Sequence, residues 1–162
     1  MATHRQIIYT RAPDGMPDAG CLRLVEAPLP RSADGQVLDR THFLSIEPYM
    51  RRQMGGGHGQ YAKPLQPGDV MIGRGAGLVV DSRDPDLRSG DRVQAQFGWR
   101  AHAMLDGRSL RKLAEDLRRL SLSLSIVGQS GATAFVGLVD VANIKAGGNI
   151  EKQVLHLAAA TE

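Results

Sequence analysis

Leu44-Ser45-Ile46-Glu47-Pro48-Tyr49-Met50-Arg51-Arg52-Gln53-Met54 is the stretch whose residue types are best placed to do chemistry. Pro48 restricts Glu47 to an extended conformation, so Tyr49, Met50 and Arg51 leave a strand as a short turn or helix. A phenolic hydroxyl and a guanidinium held together can orient a carbonyl or carboxylate substrate. The same residues also fit a capped helical turn, with Tyr49 and Met50 packing inward and Arg51 at the surface. From the chemistry alone, this second reading is the stronger.

Other chemistries find less support. The histidines at 4, 42, 58, 102 and 156 have no ligand spacing among themselves or with Cys21, so no metal site is expected. His42 and His102 fall in strand-like runs. A lone cysteine excludes an internal disulfide, and no serine stands in a GxSxG context. Leu120–Ile126 alternates strictly and runs into Ser125, Gly128 and Gly131 before a helix, which imitates a strand, phosphate loop and helix. The first strand of a doubly wound sheet is buried on both faces and nearly all apolar; three serines on one face do not fit, and the chain has no GxGxxG. Gly55-Gly56-Gly57-His58-Gly59 reads as a mobile surface connection, or as a loop over a pocket.

The elements that must position these residues are short. Up to residue 107, glycine and proline punctuate the apolar runs Gln6–Tyr9, Cys21–Glu26, Gln36–Ile46, Gly75–Asp81, Arg92–Phe97 and Ala101–Leu105. Many short strands between turn residues predict a β-rich barrel or sandwich. The glycines between Gly73 and Gly77 predict close backbone approach or a bulge, and Ser89-Gly90-Asp91 predicts a tight turn. Later the character changes. Leucines at 110, 113, 117 and 120 have helical spacing, Ala132–Val141 reads as a helix, and Gln153–Leu157 reads as a last short strand.

The 162 residues suffice for one domain with a sizeable core. A content of 42% hydrophobic and 23% charged residues is that of a globular protein, and no apolar run reaches the ~20 residues of a membrane span. The N-terminus leads straight into a short apolar run with a polar break, unlike a secretory signal, so a cytoplasmic location and no membrane partner are expected. Net charge is +3. The densest basic cluster, Arg108, Arg111, Lys112, Arg118 and Arg119, contains Glu115 and Asp116. That mixed field suits a solvated face, and no nucleic-acid partner is expected.

Five motifs in order resemble the zinc-independent, NADP-dependent branch of the medium-chain dehydrogenase/reductase superfamily, which holds the prostaglandin and leukotriene reductases and the alkenal double-bond reductases. They are Leu44–Arg51, with Glu47 for the usual Asp; Gly73–Ser82; Pro85–Val93; Gly98–Ala103; and Gly131–Leu138, with Phe135 for Tyr. The resemblance covers residues 5 to 147. It implies a mainly β, GroES-like, partly open barrel with a few helices and no complete Rossmann domain. Residues 1–147 would form this substrate-side domain with its exit helix. Gly148–Leu155 is similar to the family's extreme C-terminus, so 148–162 is expected to be a return strand and tail, with the cofactor domain deleted near Gly147.

In this family NADPH gives a hydride to the β-carbon of an α,β-unsaturated aldehyde or ketone, and the protein supplies position and electrostatics. The resemblance implies that Tyr49 lines the substrate pocket and polarises the carbonyl oxygen. Met50 and Arg51 would support that turn, and Gln129 and Thr133 would approach the nicotinamide. Gln129, Ser130, Arg100 and His102 depart from the family pattern. Without a phosphate loop, NADP(H) binding and turnover by this chain are not expected. The alternative is a non-catalytic barrel that binds a small apolar carbonyl compound or a protein partner. The face that meets the cofactor domain in the family would expose Val127, Phe135 and Leu138 and favour self-association.

Overall fold

The computed structural model describes residues 2–55 and 64–142. The chain divides into two compact units, Met1–Leu124 and Ser125–Glu162. The expected boundary at Gly147, the final strand at 153–157 and residues 56–59 of the glycine run lie outside the described residues.

The first unit is built on strands β1 (Thr3–Tyr9), β2 (Leu22–Pro28), β3 (Gln36–Leu44), β4 (Gly75–Ser82), β5 (Arg92–Ala95), β6 (His102–Asp106) and β7 (Arg111–Lys112), with one short helix, α1 (Pro48–Met54). β1 and β2 form an antiparallel hairpin, and the other five strands form a sheet in the order β6-β3-β4-β5-β7. Neither sheet closes on itself. This is the mainly β, GroES-like architecture that the family resemblance implies, open rather than a closed barrel.

The two sheets are joined through one stretch of backbone. The edge of β1 that does not face β2 is completed by residues 69–71 and 99–101: Ile7 N–H donates to the Trp99 carbonyl at 2.7 Å, Ala101 N–H to the Arg5 carbonyl at 2.8 Å, and Met71 N–H to the Ile7 carbonyl at 2.8 Å. Ala101 in turn accepts from Thr41 N–H of β3 at 2.9 Å. An unpaired strand edge thus becomes the seam of the unit.

The glycines of β4 are a packing requirement. A Cβ at Gly75 would lie 2.7 Å from the Phe97 ring, and one at Gly77 would collide with the Arg40 carbonyl across the strand pair. The register of β3 against β4 shifts between Leu38 and Asp39 and again between Thr41 and Phe43, as the close-approach expectation for this run anticipated.

The leucine spacing from 110 to 120 does not make a helix. Asp106 caps a 3-10 turn at Gly107–Ser109, and Arg111 and Lys112 then pair with Gln94 and Val93 of β5. Leu113 is buried and Leu110 packs against the sheet core. These leucines serve an extended edge segment, and tertiary pairing overrides local periodicity. Leu120–Leu124 is a 3-10 helix rather than a strand, which agrees with the argument against a phosphate loop.

Two hydrophobic clusters fill the unit. One gathers Tyr9, Cys21, Met50, Met54, Leu65 and Met71; the other gathers Val37, Val79, Leu87, Val93, Phe97 and Ala103. In the second unit, α2 (Gln129–Phe135) widens into a π-helical turn over Val136–Val141, where Ala142 N–H reaches the Gly137 carbonyl five residues back. This meets the helix expected over Ala132–Val141.

Candidate active site on the α1 turn

Glu47 is extended at φ −129° and ψ 149°, and Pro48 opens the helix. Proline suits the first helical position because its missing N–H would have had no partner there. Ser45 fixes the approach: its N–H donates to the Arg74 carbonyl at 2.8 Å and its hydroxyl to Glu47 Oε1 at 2.8 Å. The far end is fixed by Tyr9, whose hydroxyl donates to the Met54 carbonyl at 2.5 Å in the buried interior. The turn is therefore tied at its start to the backbone of Arg74 and at its end to Tyr9 of the first cluster.

The residues singled out from the sequence take different places. Tyr49 packs half-buried against the first cluster, and its hydroxyl is buried with no hydrogen-bond partner among the described residues. Met50 is core at 3% exposure. Arg51 is exposed, and its Nη2 donates to the Gly15 carbonyl at 2.7 Å, which straps the turn to the loop after β1. Gln129 and Thr133 lie in the second unit, where the Thr133 hydroxyl donates to the Gln129 carbonyl at 2.9 Å within α2.

Trp99 belongs with Tyr49, and the sequence reading did not assign it to the site. It packs on the same cluster, and a Cβ at Gly73 would lie 2.8 Å from its indole. Its Nε1–H is also buried without a partner among the described residues. The Gly98-Trp99 pair beside the Gly73 turn is the signal that marks it. Next to Trp99 lies a cavity of about 320 Å³, lined by Arg5, Ile7, Leu24, Phe43 and Arg100 among others; Tyr49 is not part of its wall. Arg100 is half-buried there, its Nε donates to the Phe97 carbonyl at 2.5 Å, and burial lowers its pKa.

Asp39 is the polar residue that the sequence reading passed over. It stands opposite Val79 and Ala103 in register, is fully buried, and neither carboxylate oxygen has a partner among the described residues. Burial pushes its pKa up to about 7. The inward period Val37, Asp39, Thr41 in the sequence was the available signal. Nearby, His4 and His102 meet edge to face at 6.0 Å. Burial, and then a neighbouring positive charge, lowers the pKa of both.

The site and fold together define a class. Residues 5–113 match the family described as the N-terminal domain of oxidoreductase, and the chain belongs to it, within the zinc-independent, NADP-dependent branch of the medium-chain dehydrogenases/reductases. It is similar to NADPH-dependent curcumin reductase of Escherichia coli (strain K12), 37% identical over 158 residues that cover 98% of this chain and 44% of that protein. It is also similar to prostaglandin reductase 1 of Mus musculus, 38% identical over 137 residues, covering 83% and 39%. Among solved structures, CurA from Vibrio vulnificus in complex with NADPH aligns with a TM-score of 0.79 at 33% identity, over 88% of this chain and 42% of that one. The chain thus spans under half the length of these relatives.

In the second unit the described residues do not fit the phosphates of a dinucleotide: residues 125–142 contain no lysine or arginine, and no strand among the described residues leads into α2, so neither a cation nor a phosphate loop is offered there.

Proposed function

We propose that this chain is the substrate-side domain of an NADP(H)-dependent oxidoreductase that reduces the C=C bond of α,β-unsaturated aldehydes and ketones. NADPH supplies the hydride in such enzymes. The observation that carries the reading is the Tyr49 hydroxyl. A desolvated donor with no acceptor is costly, and an entering carbonyl oxygen relieves that cost. The bond strengthens as the oxygen gains enolate charge. Curcumin and prostaglandin reductases among the relatives support the reductase class.

Met50 and Arg51 serve this reading by holding the turn, from the core side and from the loop side. Gln129 and Thr133 would approach the nicotinamide, as the family resemblance implies. On its own the chain is proposed to bind an enone and to leave it unreduced. Residues 148–162 would then form the return strand and tail that the family resemblance implies.

The test is titration of the full chain with benzylideneacetone, followed through Trp99, the single tryptophan. Quenching should saturate, and Tyr49→Phe should weaken binding by about three- to tenfold, the worth of one neutral hydrogen bond. Equal binding of the saturated ketone by both proteins would remove the basis of the proposal. Steady consumption of NADPH with the enone would overturn the part about turnover.

A further inference from the structure

A second cavity, of about 400 Å³, lies in the first unit away from the α1 turn. Its floor is one face of the large sheet. Leu78 of β4 stands directly between Arg40 of β3 and Arg92 of β5 in register, so side chains on that face form a row with guanidinium groups on both sides of a leucine. The 3-10 turn Leu120–Leu124 packs over β3, β4 and β5 and brings Arg118 and Arg119 to the same cavity, with His42 and Phe43 completing the wall.

Among the described residues, none that lines this cavity is acidic. Elsewhere in the unit, arginines find carboxylates: Arg11 pairs with Asp18, Arg83 with Asp34, Arg88 with Asp91 and Arg108 with Asp106. Arg92, Arg118 and Arg119 form no ion pair among the described residues, although Glu115 and Asp116 are close in sequence. Arg92 is half-buried and aimed, because its Nη1 donates to the Leu117 carbonyl. Three arginines on one cavity wall without a counter-charge among the described residues repel one another, and a bound anion removes that cost.

We propose that this cavity binds the phosphate dianion of a small organic phosphate. Three guanidinium groups from two segments match the three non-bridging oxygens of a phosphate monoester, where a planar carboxylate offers only two. Phe43, Leu78 and Leu120 give an apolar wall for the organic body, and the volume falls in the ordinary range for small-molecule sites. The site is independent of enone reduction.

Calorimetric titration of the full chain at low salt separates the outcomes, with phenyl phosphate, inorganic phosphate, benzoate and a short DNA duplex as probes. Phenyl phosphate should bind one to one and more tightly than the other two small anions. An R118A/R119A double variant should lose about tenfold or more of that affinity at an unchanged melting temperature, because both side chains are exposed. Inorganic phosphate binding as tightly as phenyl phosphate would overturn the organic part, and benzoate matching it would overturn the phosphate assignment. Tight, steeply salt-dependent duplex binding that displaces phenyl phosphate would show a polyanion surface instead.

Discussion

The cluster around Tyr9 and the cluster around Phe97 share one unit but are built from different materials. The first contains Met50, Met54 and Met71 beside Tyr9, Cys21 and Leu65. Its side chains are mostly unbranched and polarisable, and adapt to irregular gaps. The second is Val37, Val79, Val93, Leu87, Ala103 and Phe97, half of them stiff β-branched valines, pressed on a sheet whose glycines admit the Phe97 ring. Their polar groups differ in kind. At the first, the Tyr9 hydroxyl is satisfied by Met54, while the neutral Tyr49 hydroxyl and Trp99 Nε1–H have no partner among the described residues; opposite Val79 and Ala103 of the second stands an ionisable carboxyl, Asp39, with two unpartnered oxygens. The adaptable cluster carries the turn with Tyr49, and the stiff one holds the sheet against which that turn is fixed.

The strongest way to break this contrast is Phe97→Ala, which should cost about 3–5 kcal/mol in urea unfolding because the glycine-lined slot cannot collapse. A loss below about 1 kcal/mol would mean that the sheet core relaxes as readily as the methionine core.

Asp39 sets the next largest effect, and it has a definite sign. Its folded pKa of about 7 lies above the ordinary 3.8, so the folded protein holds the extra proton. That contribution is fully present below about pH 4 and is lost as pH rises through 7, a swing on the order of 4 kcal/mol. Asp39→Leu should therefore stabilise the protein most at pH 8 and little at pH 4. The lowered pKa values of His4 and His102 act in the opposite direction below pH 6.5, so the informative quantity is the variant minus the parent at each pH. A flat difference across the range would show that Asp39 finds a partner or water in solution.

Tyr9→Phe should cost about 1–2 kcal/mol, since it strands the Met54 carbonyl in the interior. The smallest effect sharpens the comparison from the other side. Met71→Leu should cost less than about 1.5 kcal/mol, while the overpacking change Val93→Leu should cost about 1–3 kcal/mol. Equal penalties would erase the distinction between soft and stiff cores.

Much of this architecture was legible in the sequence, for reasons that residues make plain. β4 and β6 are short apolar runs closed by Asp81 and Asp106, so their limits are set locally. The α1 turn was legible because Pro48 constrains both its neighbour and its own helix position. β7 was not, because Leu110 and Leu113 satisfy a helical period while flanking a segment that pairs with β5, a partner 17 residues away at Gln94–Arg111. The site was half legible. Tyr49 was named from its motif, but the strap from Arg51 to Gly15 and the place of Trp99 beside Gly73 depend on contacts across the fold.

The seam at Ala101 has a consequence for biogenesis. β1 emerges first from the ribosome, yet its outer edge waits for residues 99–101. At about 5–20 residues per second, that edge stays bare for roughly 5–20 s, offering unpaired N–H and C=O groups to any other nascent chain. The hairpin with β2 covers only one side during this interval. Cells that make this protein in quantity therefore have reason to shield its first thirty residues until the sheet behind them has been translated.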